Sequence, residues 1–522
     1  MANLFAGIDS STQSTKLVVI DDDQKEMIYK DSVQYDQDLP HYGTVNGVVQ
    51  GLELGASESD PAMWIEAVDI LLERLLRSNV DQRQIRCLSV SGQQHGLVTL
   101  DQQGALSRKR SKQWNDFSTE EECRLLTEAV GGAENMIREV GNSQRTGYTA
   151  AKIFHMVRHE PEAFGKTFTC FLVHNYINWY LTGGVRVMEP GDASGMALWH
   201  PQTRCWSSRV LKAISPDLAS KLPEIRPSDA TIGAVSADLA QRFELDPRCR
   251  IDAGSGDNMY GAVGTGNVEP GIVTVSLGTS GTAYTCMEQA YIDASGEIAA
   301  FCDSTGRFLP LLCVSNLANG YNAIVQQYGL SHAEFNELIQ QTPPGNNGRL
   351  LIPWYVGERT PDVPIAGPIY FGFGVHEFGK ENLCRAVLEG HILNLYDGFR
   401  KMPIQPTENR LTGGLAQSPA WCQTIADIFE AEAVPVEGEG AALGAAVHAA
   451  WVYYKEAGQP VSLKELVRPY VVMREERRCK PIPANREIHR LQKQVFQALS
   501  ERVRGKSSAA DPFALREKMI KQ

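Results

Sequence analysis

Two stretches of the chain alternate apolar or β-branched residues with small polar ones, and both read as hairpins. In the first, Leu4-Phe5-Ala6-Gly7-Ile8-Asp9 passes through Ser10-Ser11-Thr12-Gln13 into Ser14-Thr15-Lys16-Leu17-Val18-Val19-Ile20. In the second, Gly271-Ile272-Val273-Thr274-Val275-Ser276-Leu277 passes through Gly278-Thr279-Ser280 into Gly281-Thr282-Ala283-Tyr284-Thr285. Apolar runs around a turn of small hydroxyls are the pattern of a tight strand–turn–strand unit. Elsewhere the period lengthens. Trp64 to Leu76 and Ala386 to Phe399 place apolar residues at helical spacing, whereas Arg86-Cys87-Leu88-Ser89-Val90-Ser91 reads as a buried strand stopping at Gly92. Arg410-Leu411-Thr412 enters Gly413-Gly414 as a strand enters a tight turn, and Ser418-Pro419 marks a helix start with proline just inside it. The final forty or so residues are charged and helix-prone.

Laying Thr12 on Thr279 puts Asp9 on Ser276 and Ser14 on Gly281. Two such hairpins half a chain apart predict a duplicated α/β domain with a ligand cleft between the copies. The expected division is residues 1–262, residues 263–490 and a C-terminal helical segment over residues 491–522.

Composition narrows the partners. The chain has 522 residues, 43% hydrophobic and 21% charged, with a formal net charge of −12. No long basic tract exists to displace counterions, so nucleic acid is not an expected partner. The most apolar stretch, Ala441 to Tyr454, is broken by Gly444 and His448 and is too short for a bilayer, so no membrane is expected either. Eleven scattered cysteines without a C-x-x-C pair, behind an N-terminus lacking a basic or apolar leader, point to free thiols in the cytoplasm.

Four segments carry chemistry. Turns of Ser, Thr and Gly let backbone N–H groups converge on an anion, so the paired hairpins could hold phosphates, although either could be a plain hairpin. The turn Gly413-Gly414-Leu415-Ala416-Gln417-Ser418 suits a nucleotide at a helix start, or a strand–helix connection with no ligand. No G-x-x-x-x-G-K-[ST] and no G-x-G-x-x-G occurs, which sets aside a P-loop and weakens a dinucleotide site. Asp257, in Gly256-Asp257-Asn258, could accept a proton from an alcohol or simply shape an Asx-turn. Gln94 and His95, in Ser91-Gly92-Gln93-Gln94-His95-Gly96, follow a strand end where open α/β sheets bind ligands.

Taken in order, these segments resemble the FGGY carbohydrate kinase family, and within it the kinases of D-xylulose. The resemblance extends from about Phe5 to Tyr454 and includes Trp114-Asn115-Asp116, Gly191-Asp192-Ala193-Ser194-Gly195 and Trp421. It implies an actin-like ATPase fold of two ribonuclease-H-like domains that close over ATP, Mg²⁺ and a small sugar. It makes Asp257 the catalytic base and Asp9 a contributor to the Mg²⁺–phosphate site. Gln94, His95, Asp257 and Asn258 would bind the ketose, with Arg145 a further contact. Thr12, Gln13, Gly278, Thr279 and Ser280 would border the phosphates; Gly413, Gly414 and Ser418 would border the nucleoside. A homodimer is compatible with the resemblance. Three positions depart from the family pattern: Ser11 stands where glycine is usual, Ser118 where arginine is usual, and Leu415 replaces the third glycine of the adenosine turn. Kinases for ribulose, glycerol or another polyol, and a sugar- or nucleotide-binding regulator, stay open as alternatives.

Overall fold

The computed structural model describes residues 3–438, 440–506 and 510–521. They form two compact units: Met1–Val268 with Met287–Leu309 and Gly438–Val471, and Glu269–Cys286 with Pro310–Glu437 and Val472–Gln522.

The first unit is built on a mixed sheet. Its strands are β1 (Leu4–Ser10), β2 (Ser14–Asp21), β3 (Glu26–Gln34), β4 (Ile85–Gly92), β5 (Thr231–Ala234), β6 (Arg250–Asp252) and the short β7 (Ser255–Gly256). They lie in the order β5-β6-β4-β1-β2-β3, with β7 also pairing with β4. Every residue of β1 is buried, as expected for a strand covered on both faces. One face packs on the helix Pro61–Leu76, which buries Met63, Trp64, Ala67, Val68, Leu71, Leu72 and Leu75 at helical spacing. Asp60 caps that helix by accepting from the Ala62 amide at 3.0 Å. Each such Leu or Val contributes roughly 1.5–3 kcal/mol on full burial.

The other face receives the helix Gly440–Glu456, whose Ala442, Leu443, Ala445, Ala446, Ala449 and Ala450 pack with Phe5, Val18 and Ile20. Small residues let it approach closely. A Cβ on Gly444 would lie 1.9 Å from the Tyr260 carbonyl oxygen, so the crossing with the helix Asp257–Gly264 requires glycine. No described helix is long and apolar enough to cross a membrane.

The second unit repeats the plan. Six strands of its main sheet are β8 (Ile272–Leu277), β9 (Gly281–Thr285), β10 (Phe308–Val314), β11 (Glu408–Thr412), β12 (Glu432–Glu437) and β13 (Val472–Met473). They run β10-β9-β8-β11-β12-β13. From β3 to β5, and from β10 to β13, successive pairs are antiparallel, antiparallel, parallel, parallel and antiparallel in both sheets. The duplication expected from the hairpins is present.

The long helix Lys380–Phe399 is buried along most of its length. The helix Arg486–Val503 packs in the same unit, and its Gln492 Nε2 donates to the buried Glu389 Oε2 at 2.6 Å. Each of the eleven cysteines is free.

Candidate active site

In the first unit, parallel pairing sets Asp9 of β1 opposite Ser91 of β4. The Ser91 hydroxyl donates to Asp9 Oδ1 at 2.7 Å. Burial raises the Asp9 pKa, against the pull of Ser91 and of the Lys16 charge.

Asp257 is not in a loop, as Gly-Asp-Asn reads locally, but opens the helix Asp257–Gly264. The reason is Gly256, which closes β7 in an extended conformation and serves as the N-cap residue. A Cβ there would lie 2.6 Å from Gln94 Cγ and 3.1 Å from Asp192 Oδ1, so glycine lets these groups crowd the helix start. A helix N-terminus ordinarily favours the carboxylate. Here burial dominates, the charges of Asp9 and Asp192 add to it, and the Asp257 pKa rises to about 8 despite hydrogen bonds from Asn258.

Asn258 joins two of the expected sugar residues. Its Nδ2 donates to Asp257 Oδ1 and to Gln94 Oε1, each at 3.0 Å. Gln94 Nε2 is buried without a hydrogen-bond partner among the described residues, and a buried amide donor of this kind calls for an acceptor. The His95 ring lies beside it, 4.9 Å from the Tyr148 ring and 5.8 Å from that of Phe301. A Cβ on Gly195 would lie 2.8 Å from His95 Cε1 and 3.4 Å from Gln94 Nε2, so both side chains border one small space. Arg145 is brought less directly to this group: its Nε donates to Ser143 Oγ at 3.1 Å.

The two hairpin turns differ by one residue. Ser10 pairs with Thr15 and Leu277 with Gly281, so the first turn has one more residue than the second. Asp9 and Ser276 do correspond, but Thr15, rather than Ser14, is the counterpart of Gly281. Within the first unit Asp9, Thr12 and Gln13 line a cavity of about 600 Å³ with Ser11, Ser14, Lys16, Gly438 and Gly440. The Thr12 hydroxyl donates to Gln93 Oε1 at 3.4 Å and accepts from Trp114 Nε1 at 2.9 Å. One carboxylate among hydroxyls, with a lysine nearby, is a donor set that fits a Mg²⁺-bearing phosphate, because Mg²⁺ keeps several waters and takes few protein ligands.

The second unit holds a separate cavity of about 480 Å³, lined by Gly278, Thr279, Gly414 and Ser418 together with Tyr321 and Asn336, among others. Ser280 is exposed and Gly413 lies against the Leu277 backbone; neither lines it. Arg477 fixes the glycine turn from below, donating to the Ala416 carbonyl at 3.0 Å and to Gln417 Oε1 at 2.8 Å.

Three participants escaped sequence reasoning. Asn336 and Arg477 belong to segments with no motif. Asp192 did carry a signal, in Gly191-Asp192-Ala193-Ser194-Gly195, but no role could be read from it. In the structure it is buried against His174 at 2.6 Å. Burial is the largest influence and opposes the His174 imidazolium, but the charge and hydrogen bond of Asp192, with the charges of Glu189 and Asp252, together raise the His174 pKa.

Comparison with known proteins bears on this geometry. The model of the FGGY family of carbohydrate kinases, N-terminal domain, matches residues 4–264, and that of the C-terminal domain matches residues 273–453. The chain is 35% identical to the xylulose kinase of Haemophilus influenzae over 86% of its own length and 90% of the relative's. It is 30% identical to xylulose kinase 2 of Arabidopsis thaliana, covering 87% and 88%. The crystal structure of xylulose kinase from Bifidobacterium adolescentis superposes with a TM-score of 0.79 at 25% identity, covering 94% of this chain and 99% of that one.

Proposed function

This chain belongs to the FGGY family of carbohydrate kinases, with its actin-like ATPase fold, and from that premise we propose that it phosphorylates D-xylulose on its terminal hydroxyl. The observation that carries the reading is the Gln94–Asn258–Asp257 chain, a proton acceptor tied to polar groups suited to sugar hydroxyls. Relatives named as xylulose kinases supply the choice of sugar.

In the reaction, the acceptor hydroxyl oxygen forms a bond to the γ-phosphorus of ATP while the bond from that phosphorus to the bridging oxygen breaks, releasing ADP. The hydroxyl proton passes to Asp257. With its pKa raised to about 8, Asp257 in its deprotonated form is basic enough to take it as the new bond forms. The transition state is loose, so positioning and charge neutralisation carry most of the catalysis. Asp9, with the hydroxyls of Ser11 and Thr12, is the proposed holder of Mg²⁺, which when bound neutralises charge on the phosphate oxygens. Gln94 Nε2 would donate to a sugar oxygen, satisfying its buried N–H, and His95 and Asn258 would orient the same molecule. The cavity at Gly278, Thr279, Gly414 and Ser418 is the proposed nucleoside site.

ADP release measured with a panel of ketopentoses, aldoses and polyols tests the reading. D-xylulose should show the highest kcat/KM, because a site built to hydrogen-bond several hydroxyls rejects analogues that leave its polar groups unpaired. A higher value for D-ribulose or glycerol would overturn it.

A further inference from the structure

Lys152 is a buried ammonium with no carboxylate within ion-pair distance among the described residues. It lies on the first turns of the helix Thr149–His159 and is 1% exposed. Its Nζ donates to two backbone carbonyls instead, those of His95 and Gly147, each at 2.7 Å. Helical side chains lean toward the N-terminus, which is how Lys152 reaches back past its own helix start to Gly147. The Thr149 hydroxyl adds a longer bond to the His95 carbonyl at 3.3 Å.

His95 has φ +69°, the left-handed region that a non-glycine residue occupies only when its surroundings hold it there. The conformation turns its carbonyl toward Lys152. Gly147 ends the Gln144-Arg145-Thr146-Gly147 segment, and Tyr148, next in the chain, packs against the His95 ring. One lysine thus ties together the two loops that frame the imidazole.

We propose that Lys152 is a positioning residue for the sugar site, its ammonium clamping the turn at His95 to the loop at Gly147 and so setting the imidazole against the substrate. The inference rests on the reading of His95 as a sugar contact. Removing the ammonium strands a buried carbonyl and frees a strained turn, a loss that reaches the sugar through His95 and leaves the nucleotide untouched.

The clamp is also sensitive to pH. Burial lowers the Lys152 pKa to about 7; Lys112 pushes the same way, while Asp116 and Cys123 oppose. The charged form therefore dominates below about 7 and is lost above it.

The test compares wild type with Lys152→Met and Lys152→Arg. The methionine variant should raise KM for D-xylulose roughly tenfold or more, with KM for ATP changed by less than about twofold. Wild-type KM for the sugar should climb as pH rises through about 7, and the arginine variant, which keeps its charge, should lose that dependence. Hydrogen–deuterium exchange of the unliganded proteins tests the clamp without any sugar, and so separates its failure from a wrong choice of substrate. Exchange in residues 93–97 and 144–148 should accelerate in Lys152→Met while the rest of the chain is unchanged. Unaltered exchange in those two segments, or sugar and ATP KM values that rise together, would overturn the proposal. Should Lys152→Met not fold, a wild-type sugar KM that is flat through this pH range would do the same.

Discussion

Ser418 Oγ donates to Asn336 Oδ1 at 2.8 Å and accepts no capping hydrogen bond from the backbone N–H groups of the helix Pro419–Phe429 that it precedes. A serine at that position ordinarily caps the helix. Here it orients an amide on the wall of the second unit's cavity, leaving Asn336 Nδ2 as a fixed donor.

Asn336→Ala should therefore raise KM for ATP by the worth of one hydrogen bond, about 0.5–1.5 kcal/mol, with KM for the sugar unaffected. Ser418→Ala should act in the same direction and less strongly, because it loosens the amide without removing it. Steady-state kinetics with each substrate varied in turn decides the matter; an unchanged ATP KM in Asn336→Ala would remove this residue from the nucleoside site.

Asp257→Asn should abolish most phosphoryl transfer while leaving both ligands able to bind. A general base contributes typically about 10²–10⁴-fold, so kcat should fall by at least roughly the lower figure. Asparagine makes the same Asx-type hydrogen bonds but cannot take the proton. Near-wild-type kcat in the folded variant would leave the proposed mechanism without its base.

The same substitution should stabilise the protein against heat at neutral and alkaline pH. The folded Asp257 carboxyl has its pKa raised to about 8, against about 3.9 for an unfolded aspartate, so between these values the native state binds more protons than the unfolded one. Stability accordingly falls as pH rises through that window, and the full cost of the charge is present above about 8. An asparagine side chain in its place carries no charge to bury. Melting temperatures of the two proteins should diverge progressively from acid pH upward; a constant difference would contradict the raised pKa.

His95→Ala should weaken sugar binding by about 0.5–1.5 kcal/mol, and more if the buried Gln94 amide loses its ligand partner as well. The ATP KM should hold, since His95 lies in neither the Asp9 cavity nor the nucleoside cavity. A change confined to the ATP value would refute the sugar assignment.

Gly444→Ala should destabilise the first unit by about 1–3 kcal/mol or more, read as a lowered denaturation midpoint. The added methyl would meet the Tyr260 carbonyl oxygen at 1.9 Å, so one of the two helices must shift, and Tyr260 lies on the helix that Asp257 opens. Activity should fall along with stability, unlike in His95→Ala.

Local pattern made much of this protein readable. Alternation around Ser11–Gln13 and Gly278–Ser280 marked both hairpins, because strand periodicity and turn chemistry are written within a few residues. The strand at Ile85–Gly92 and the helices over Pro61–Leu76 and Lys380–Phe399 were legible for the same reason, apart from their first residues. Motif order was enough to reveal the family. Asp257 was visible as an acid between small residues, yet its place at a helix start depends on Gly256 closing a strand beside β4, a contact made far away in the chain.

What the sequence determined alone was therefore the set of local elements, their duplication and the chemistry-bearing segments. Tertiary structure decided which of them meet. It returned Gly438–Val471 to the first unit, where Gly444 and its alanines find the helix of Asp257. It spent Ser418 on Asn336, and it carried Lys152 to the carbonyl of His95, 57 positions away. Spacing along a chain records only the geometry of its own turn or strand. A buried ammonium or amide takes whichever partner the packed core presents, and that choice is settled when the whole unit closes around it.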